Sequence, residues 1–306
     1  MTDEVVAPPR DVVVVVNRHS RGADRAVAGL YDKLKARGLS VASFHPVGNN
    51  RDAERLVRRA AKDGAHSVLV GGGDGTMTHA VNALAHRRTI LGVLPLGTGN
   101  SFAQSLGLPT HDLDAAIDTI AGGHVATVDL GSVNGTYFAN FATIGLSSEI
   151  AGRTPHGWKG VLGVGAYALA AVVPLLRHRG FRAKIRWDGG RLTLRTQDII
   201  IASGRFFGTT PLTPEASLVS GKLSLFTTED ATTFGALKTY LAIGLDHQVS
   251  LSDAHIVNAE EITVRTNAKQ WISVDGSLLE RTPACFRVAR GALRVFVPPS
   301  GVPQPQ

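Results

Sequence analysis

Four glycines within five positions constrain this chain more than any other feature, because they follow a short apolar segment and precede a helix-like one. The stretch reads Gly71-Gly72-Gly73-Asp74-Gly75-Thr76. Glycine leaves the backbone open to close approach by a ligand, and the N–H groups at a helix N-terminus favour phosphate. The stretch therefore predicts a phosphate-binding loop at the end of a strand, in preference to a turn with only a structural role.

Asp74 is unusual in such a loop, because its carboxylate carries the same sign of charge as a phosphate. Two explanations fit: a cation accompanies the phosphates, or the carboxylate holds the loop by accepting backbone N–H groups. The sequence excludes two other phosphate-binding motifs. A dinucleotide fingerprint needs a glycine where Thr76 stands, and a P-loop needs a Gly-Lys-Ser/Thr string that the chain lacks.

Strand-like and helix-like patterns alternate over the first hundred residues or so. The predicted strands are apolar runs at 12–16, 41–47, 67–70 and 90–94. Apolar residues at helical spacing predict helices over 25–37, 52–62 and 78–85. Since an unbroken β-branched run such as 12–16 is typical of a strand buried on both faces, the alternation predicts an α/β domain with a parallel sheet covered by helices.

The pattern changes after about residue 129 to short strand-like stretches separated by turn residues. They lie at 136–142, 182–187, 191–196, 199–203, 223–227, 261–265, 271–274 and 292–297. This spacing predicts a second, β-rich domain built as an antiparallel sandwich. We place the boundary between 1–128 and 129–289, with a last strand, 290–297, that can return to the first domain.

Composition limits the environment and the partners. The formal net charge of +7 and the pI near 9.8 favour anionic partners without choosing among them. Cys285 is the single cysteine, which excludes a disulfide within the chain and a cysteine-rich metal site. The N-terminus has no signal-peptide pattern, so we expect a cytoplasmic protein. The uncharged stretch 161–176 is short for a spanning helix; we interpret it as a buried helix, with a membrane-contacting helix as the alternative.

Two further loops join the glycine-rich one at neighbouring strand ends. Gly97-Thr98-Gly99-Asn100 follows the strand at 90–94, and Asn17 opens a polar loop after the strand at 12–16. In an open α/β sheet the ligand crevice lies outside the carboxyl ends of the strands. We therefore expect these loops to form one site, in which Thr98 and Asn100 donate hydrogen bonds to phosphate, to ribose or to a neighbouring loop.

The order and spacing of these motifs resemble the diacylglycerol kinase catalytic-domain family, which includes bacterial lipid kinases and sphingosine and ceramide kinases. The resemblance extends over residues 11–297. Beyond the three loops it rests on the segments 128–131, 137–140, 144–146, 204–208 with 213–216, and 274–276 with 282–283.

The resemblance implies an ATP- and Mg²⁺-dependent lipid kinase. The first domain would bind ATP around Asn17, the glycine-rich loop and Thr98, and the second would hold the lipid. Asp275 would be the general base, and Asp74 and Asp129 would belong to the family's magnesium network. The expected partners are a lipid substrate and, transiently, an anionic membrane surface, with a homodimer through open sheet edges as a further possibility and no nucleic acid.

Four segments depart from the family pattern. Residues 77–79 lack the usual Asn-Glu, 218–221 lack both carboxylates of a segment associated with a structural metal, 275–277 lack a Glu, and 17–18 lack a Pro. Fewer acids weaken support for Mg²⁺. The alternatives are therefore a non-catalytic nucleotide- or lipid-binding relative, or a NAD kinase, which shares the Gly-Gly-Asp-Gly motif.

Overall fold

The computed structural model describes residues 4–20, 23–110, 112–153, 180–207, 210–211, 216–229 and 254–304. The helices are α1 Ala23–Ala36, α2 Asn50–Lys62, α3 Asp74–Leu84, α4 Ser101–Ser105, α5 Leu113–Ala121 and α6 Leu146–Arg153. The strands of the first half are β1 Glu4–Val5, β2 Val12–Asn17, β3 Val41–Val47, β4 Ser67–Gly72, β5 Ile90–Pro95, β6 His124–Val133 and β7 Thr136–Phe138. Those of the second half are β8 Phe141–Gly145, β9 Phe181–Trp187, β10 Gly190–Thr196, β11 Asp198–Ala202, β12 Phe206–Phe207, β13 Thr210–Pro211, β14 Leu223–Thr228, β15 Ala254–Ala259, β16 Glu261–Thr266, β17 Trp271–Val274, β18 Ser277–Arg281 and β19 Ala284–Phe296.

The first half is an α/β layer built on four parallel strands in the order β5-β4-β2-β3. The valine run of β2 explains its central place, since successive side chains point to opposite faces. Val12, Val14 and Val16 pack with α1 and α5, whereas Val15 packs with α2 and α3. The predicted α/β architecture is confirmed.

The second half is a sandwich of antiparallel strands. A sheet of order β15-β14-β11-β8-β17-β18 faces the β10-β9-β16-β19 part of the large sheet. Inward side chains of both layers form one core, as Ile185 of β9, Ile201 of β11 and Ile272 of β17 illustrate. The sandwich-like second half is confirmed as well.

Two long strands run through both halves. β6 pairs with β19 over most of its length, and β19 also pairs in parallel with β5 through Val295 and Leu91. Residues 290–297 thus lie beside the first-half sheet, and β6 crosses the 128/129 position without a break. The division into two domains at that position stays a prediction.

Helix α3 begins at Asp74, four residues before the predicted start at 78, because the glycine loop leads straight into the first turn with Gly73 as N-cap. Helix α5 was not predicted, although Asp112 caps it by accepting the N–H of Ala115 at 3.0 Å. The apolar stretch 161–176 lies outside the described residues. Among those described, no helix is long and apolar enough to cross a bilayer.

Candidate active site

Three loops meet at the carboxyl ends of neighbouring parallel strands. Asn17 ends β2, Gly72 ends β4, and Pro95 ends β5. Because parallel strands end at the same edge of a sheet, the loops that follow them share one rim. The residues predicted for the site, from Asn17 to Asn100, therefore lie together.

The two glycine-rich loops touch through their backbones. A Cβ atom on Gly97 would lie 2.5 Å from the Cα of Gly73, and a Cβ on Gly73 would lie 3.1 Å from the Cα of Gly97. Gly72 is restricted in a similar way, because its Cβ would lie 2.5 Å from the side chain of Thr76. Glycine is thus required at positions 73 and 97 by packing between the two loops, and at position 72 by packing against Thr76 of the same segment, besides any ligand.

Asp74 holds the second loop against the first. Its Oδ1 accepts the N–H of Phe102 at 3.1 Å, and its Oδ2 lies 3.4 Å from the Ser101 hydroxyl. Burial raises the pKa of Asp74, while the N–H groups of Phe102 and Ser101 oppose that rise. The second explanation offered by the sequence, a carboxylate that accepts backbone N–H groups, therefore describes this residue.

Asn17 reaches across the rim to the first turn of α3. Its amide donates to Oδ1 of Asn50 at 2.8 Å and to the Thr76 hydroxyl at 3.2 Å, and that hydroxyl also donates to Asn50 at 2.9 Å. Asn50 was missed by sequence reasoning. The available signal was its place at the start of α2, three residues after β3 ends, at the same sheet edge as the other loops.

Asn100 closes its own loop. It has a left-handed backbone with φ 51°, accepts the Gly97 N–H at 2.9 Å and donates to the Gly97 carbonyl at 3.0 Å and the Thr110 carbonyl at 3.2 Å. Thr98 is exposed at the tip of this loop, and Gly99 lies beside it. Of the two polar side chains, Thr98 is the one that faces solvent.

Asp275 lies at the turn between β17 and β18 and faces α3 across the halves. Its Oδ2 accepts the Thr78 hydroxyl at 2.9 Å and the Ala139 N–H at 3.3 Å. Its Oδ1 accepts the N–H groups of Asn140 at 3.2 Å and Phe141 at 3.0 Å. The turn places Asp275 at φ 44°, so the side chain is fixed by strained backbone and by four donors.

The ionisation of Asp275 is shifted toward neutral pH. Burial raises the pKa of this carboxyl to about 6; the N–H of Phe141 and the hydroxyl of Thr78 oppose the rise, and the negative charge of Asp74 adds to it. A carboxylate with a pKa near working pH is a more effective base than an ordinary one. Asp74 and Asp275, two of the three acidic residues singled out by sequence, are thus close enough to influence each other.

A cavity of about 510 Å³ opens between α2, α3, the β6–β7 turn and the β17–β18 hairpin. Gly75 and Thr78 form part of its wall from α3, and Ser277 and Leu278 form part from the hairpin. The wall is mixed: it includes the Arg58–Glu54 ion pair as well as the apolar side chains of Leu278 and Leu279.

The structural metal associated with segment 218–221 does not fit this chain. Val219 packs against the core, and the Asp129 carboxylate accepts the N–H of Gly221 and that of Gly291, both at 2.8 Å. Within the described ranges no cluster of three or more His, Cys, Asp or Glu side chains could hold a metal. Backbone amides occupy the oxygens that a cation would need. A magnesium ion carried by phosphates needs fewer protein ligands, since Mg²⁺ is usually bound through one or two carboxylates plus phosphate oxygens. Asp74 is the acidic side chain of the glycine-rich loop, and its oxygens already accept hydrogen bonds from Phe102 and Ser101.

Comparisons with known proteins agree with this geometry. Residues 11–133 match the family described as diacylglycerol kinase catalytic domain, and residues 144–297 match the YegS C-terminal NAD kinase beta sandwich-like domain. The Bacillus subtilis (strain 168) protein named diacylglycerol kinase is 30% identical over 85% of this chain and 86% of its own length. The Pseudomonas aeruginosa (strain UCBPP-PA14) protein named "Probable lipid kinase YegS-like" is 34% identical over 94% of this chain and 95% of its own. A crystal structure of a candidate diacylglycerol kinase from Bacillus anthracis str. Sterne superposes with a TM-score of 0.80 at 25% identity, covering 99% of this chain and all of the other.

Proposed function

Because this chain belongs to the diacylglycerol kinase family and is a phosphotransferase of the lipid kinase type, we propose that it transfers the γ-phosphate of ATP to a hydroxyl of a diacylglycerol-like or sphingoid lipid. The observation that carries the proposal is the position of Asp275. This carboxyl has a pKa of about 6 and accepts a hydrogen bond from the hydroxyl of Thr78, on the helix that begins at the glycine-rich loop.

We assign nucleotide binding to the rim formed by the three loops. The N–H groups at the start of α3, from Gly73 to Gly75, favour the phosphates, while that of Thr76 bonds the Gly73 carbonyl; the exposed Thr98 supplies a hydroxyl from the second loop. Magnesium bound with the phosphates would neutralise their charge, and Asp74 would be its carboxylate ligand if it released the Ser101 hydroxyl, the longer of its two contacts. The polar triangle of Asn17, Asn50 and Thr76 fixes the loops that surround the nucleotide.

Asp275 would act as the general base. The oxygen of the lipid hydroxyl forms a bond to the γ-phosphorus, the bond from that phosphorus to the bridging oxygen breaks and ADP leaves, and the hydroxyl proton passes to Asp275. Four donors already bind the Asp275 carboxylate, so one of these hydrogen bonds must break before the carboxylate can accept the proton. The bond from Thr78 can break, because its single hydroxyl proton is shared between Asp275 and the Asp74 carbonyl, 3.0 Å away.

The decisive experiment measures transfer of labelled γ-phosphate from ATP with magnesium to a panel of lipids in mixed micelles: diacylglycerol, monoacylglycerol, a sphingoid base and a polyprenol. Asp275→Asn should reduce transfer by about 10²- to 10⁴-fold while ATP still binds. Asp63→Asn is the matched control, because Asp63 is an exposed residue at the end of α2 and should retain full transfer.

Transfer to one lipid that is lost in Asp275→Asn supports the kinase and names its substrate. ATP binding without transfer to any lipid would instead favour a nucleotide- or lipid-binding relative, which the lost carboxylates at 219, 220 and 277 make a specific alternative. We further propose that the enzyme acts in the cytoplasm, peripherally at a membrane. A homodimer through open strand edges stays a prediction that sedimentation would test.

A further inference from the structure

One face of the large sheet carries a cluster of exposed basic side chains. On β9 the inward positions Phe181, Ala183 and Ile185 are buried in the sandwich core, so the alternate positions point outward. The outward, exposed basic residues of this strand and its two neighbours are Arg182, Lys184, Arg186, Arg191, Arg195 and Arg265. We call these six residues the basic face.

Strand register places these cations directly opposite one another. Arg186 of β9 faces Arg191 of β10, and Arg182 faces Arg195. On the other side, Lys184 faces Arg265 of β16. Like charges directly opposite on neighbouring strands are destabilising, and strands are about 4.8 Å apart, well within a Debye length of about 8 Å. The fold therefore carries repulsion between like charges on this face, and this repulsion does not stabilise the fold.

Within the part of the chain that the structure describes, acidic side chains do not compensate the basic face. None of its six members forms a salt bridge with another described residue. Glu261 on β16 is paired with Arg287 at 2.7 Å, and Asp188 lies in the β9–β10 turn. Helix α2 shows the contrast, since its Arg55 and Arg59 each have an acidic partner.

We propose that the basic face docks on the anionic surface of a lipid bilayer. The outward positions of the three strands are cationic or small and polar, apart from Glu261 and with no aromatic side chain. Single-stranded nucleic acids are bound by basic grooves with aromatic stacking platforms, whereas a bilayer requires only an exposed field of cations. The choice of a bilayer rests on the proposed lipid kinase function, because the substrate of such an enzyme resides there.

The expected strength follows from the number of cations. Each Lys or Arg near an anionic membrane contributes roughly a fivefold gain in affinity. Removing three of them should weaken binding by roughly 100-fold. Raising the salt concentration above about 0.1 M should weaken binding further, because the screening length becomes shorter.

The experiment measures cosedimentation of the full chain with sucrose-loaded vesicles of phosphatidylcholine alone or mixed with phosphatidylglycerol. The test variant combines Arg182→Gln, Lys184→Gln and Arg186→Gln. The matched control combines Arg55→Gln, Arg59→Gln and Lys62→Gln, which removes the same charge from exposed positions of α2. The melting temperature of the test variant should equal or exceed that of the parent, because repulsion is removed.

We expect binding only to the phosphatidylglycerol vesicles, a roughly 100-fold loss in the test variant, and near-parental binding in the control. Equal losses in both variants would show that only total charge matters and would overturn the proposal. Equal binding to both vesicles would overturn it too. Vesicle binding that persists when no lipid is phosphorylated would contradict the proposed function alone. Transfer to a short-chain diacylglycerol without vesicles should be unchanged in the test variant, which separates docking from chemistry.

Discussion

The hydroxyl of Thr78 donates to Oδ2 of Asp275 at 2.9 Å, although 197 residues separate them in the chain. The contact joins the first half, where Thr78 lies on α3, to the second, where Asp275 lies in a hairpin turn. It also joins the cavity wall to the proposed base, since Thr78 lines the cavity. The ionisation of Asp275 is therefore coupled to whatever occupies that cavity.

The rate of transfer should fall as the pH drops through about 6, the pKa of Asp275. A general base works only when deprotonated, so activity is present above this pKa and lost below it. The profile of kcat/KM against pH, which reports groups of the free enzyme, measures the effect. A profile that stays flat down to the ordinary range of an aspartate would contradict the assignment.

Replacement of Thr78 by Val should move the acidic limb of that profile to higher pH. The hydroxyl bond from Thr78 lowers the pKa of Asp275, so its loss lets the pKa rise. Thr78→Ser keeps a hydroxyl and should leave the limb in place. An unmoved limb in Thr78→Val would mean that the bond does not influence the base.

The change Gly97→Ala should weaken both the fold and nucleotide binding. Its Cβ would lie 2.5 Å from the Cα of Gly73, and backbone cannot yield as a flexible side chain can, so we expect a loss of about 1–3 kcal/mol in the free energy of unfolding. Thermal melting with and without ATP measures it. Gly29→Ala is the control: its Cβ meets nothing within 4 Å, and alanine in a helix should stabilise by about 0.5–1 kcal/mol.

Asp129→Asn should lower the free energy of unfolding by about 2 kcal/mol. An amide cannot accept both N–H groups that the carboxylate accepts from Gly221 and Gly291, so one charge-assisted hydrogen bond is lost. Denaturant titration measures the loss. A variant as stable as the parent would show that the carboxylate does not hold these loops together.

Chelation should separate stability from activity. Because backbone amides occupy the oxygens of Asp129, removal of divalent cations with EDTA should leave the melting temperature of the nucleotide-free protein unchanged. The same treatment should abolish phosphate transfer, because magnesium accompanies ATP. A clear fall in melting temperature would reveal a structural cation.

Periodicity predicted much of the fold because burial is local in sequence. The valine run of β2 and the alternation of β9 each fix which side chains face the core. Helix α5 and the long strand β6 were missed, since their patterns are short or mixed and their stability comes from packing against distant elements.

The site was predicted unevenly. The glycine loops and Asp275 could be identified from motifs, and the common rim followed from the strand ends. The partners could not: Asn50 completes the Asn17 contact from another loop, and the amides that bind Asp129 come from Gly221 and Gly291, far along the chain. Motifs identify chemical groups, whereas contacts between distant segments depend on the whole topology.

The shared strands β6 and β19 have a consequence for how the molecule can be taken apart. A cut after residue 128 would sever β6 in mid-strand, between residues that pair with β19, so neither fragment would keep a complete sheet. The halves should therefore melt in a single calorimetric transition. Because no flexible linker separates the two halves along β6, any opening between them must come from twisting of the continuous sheet.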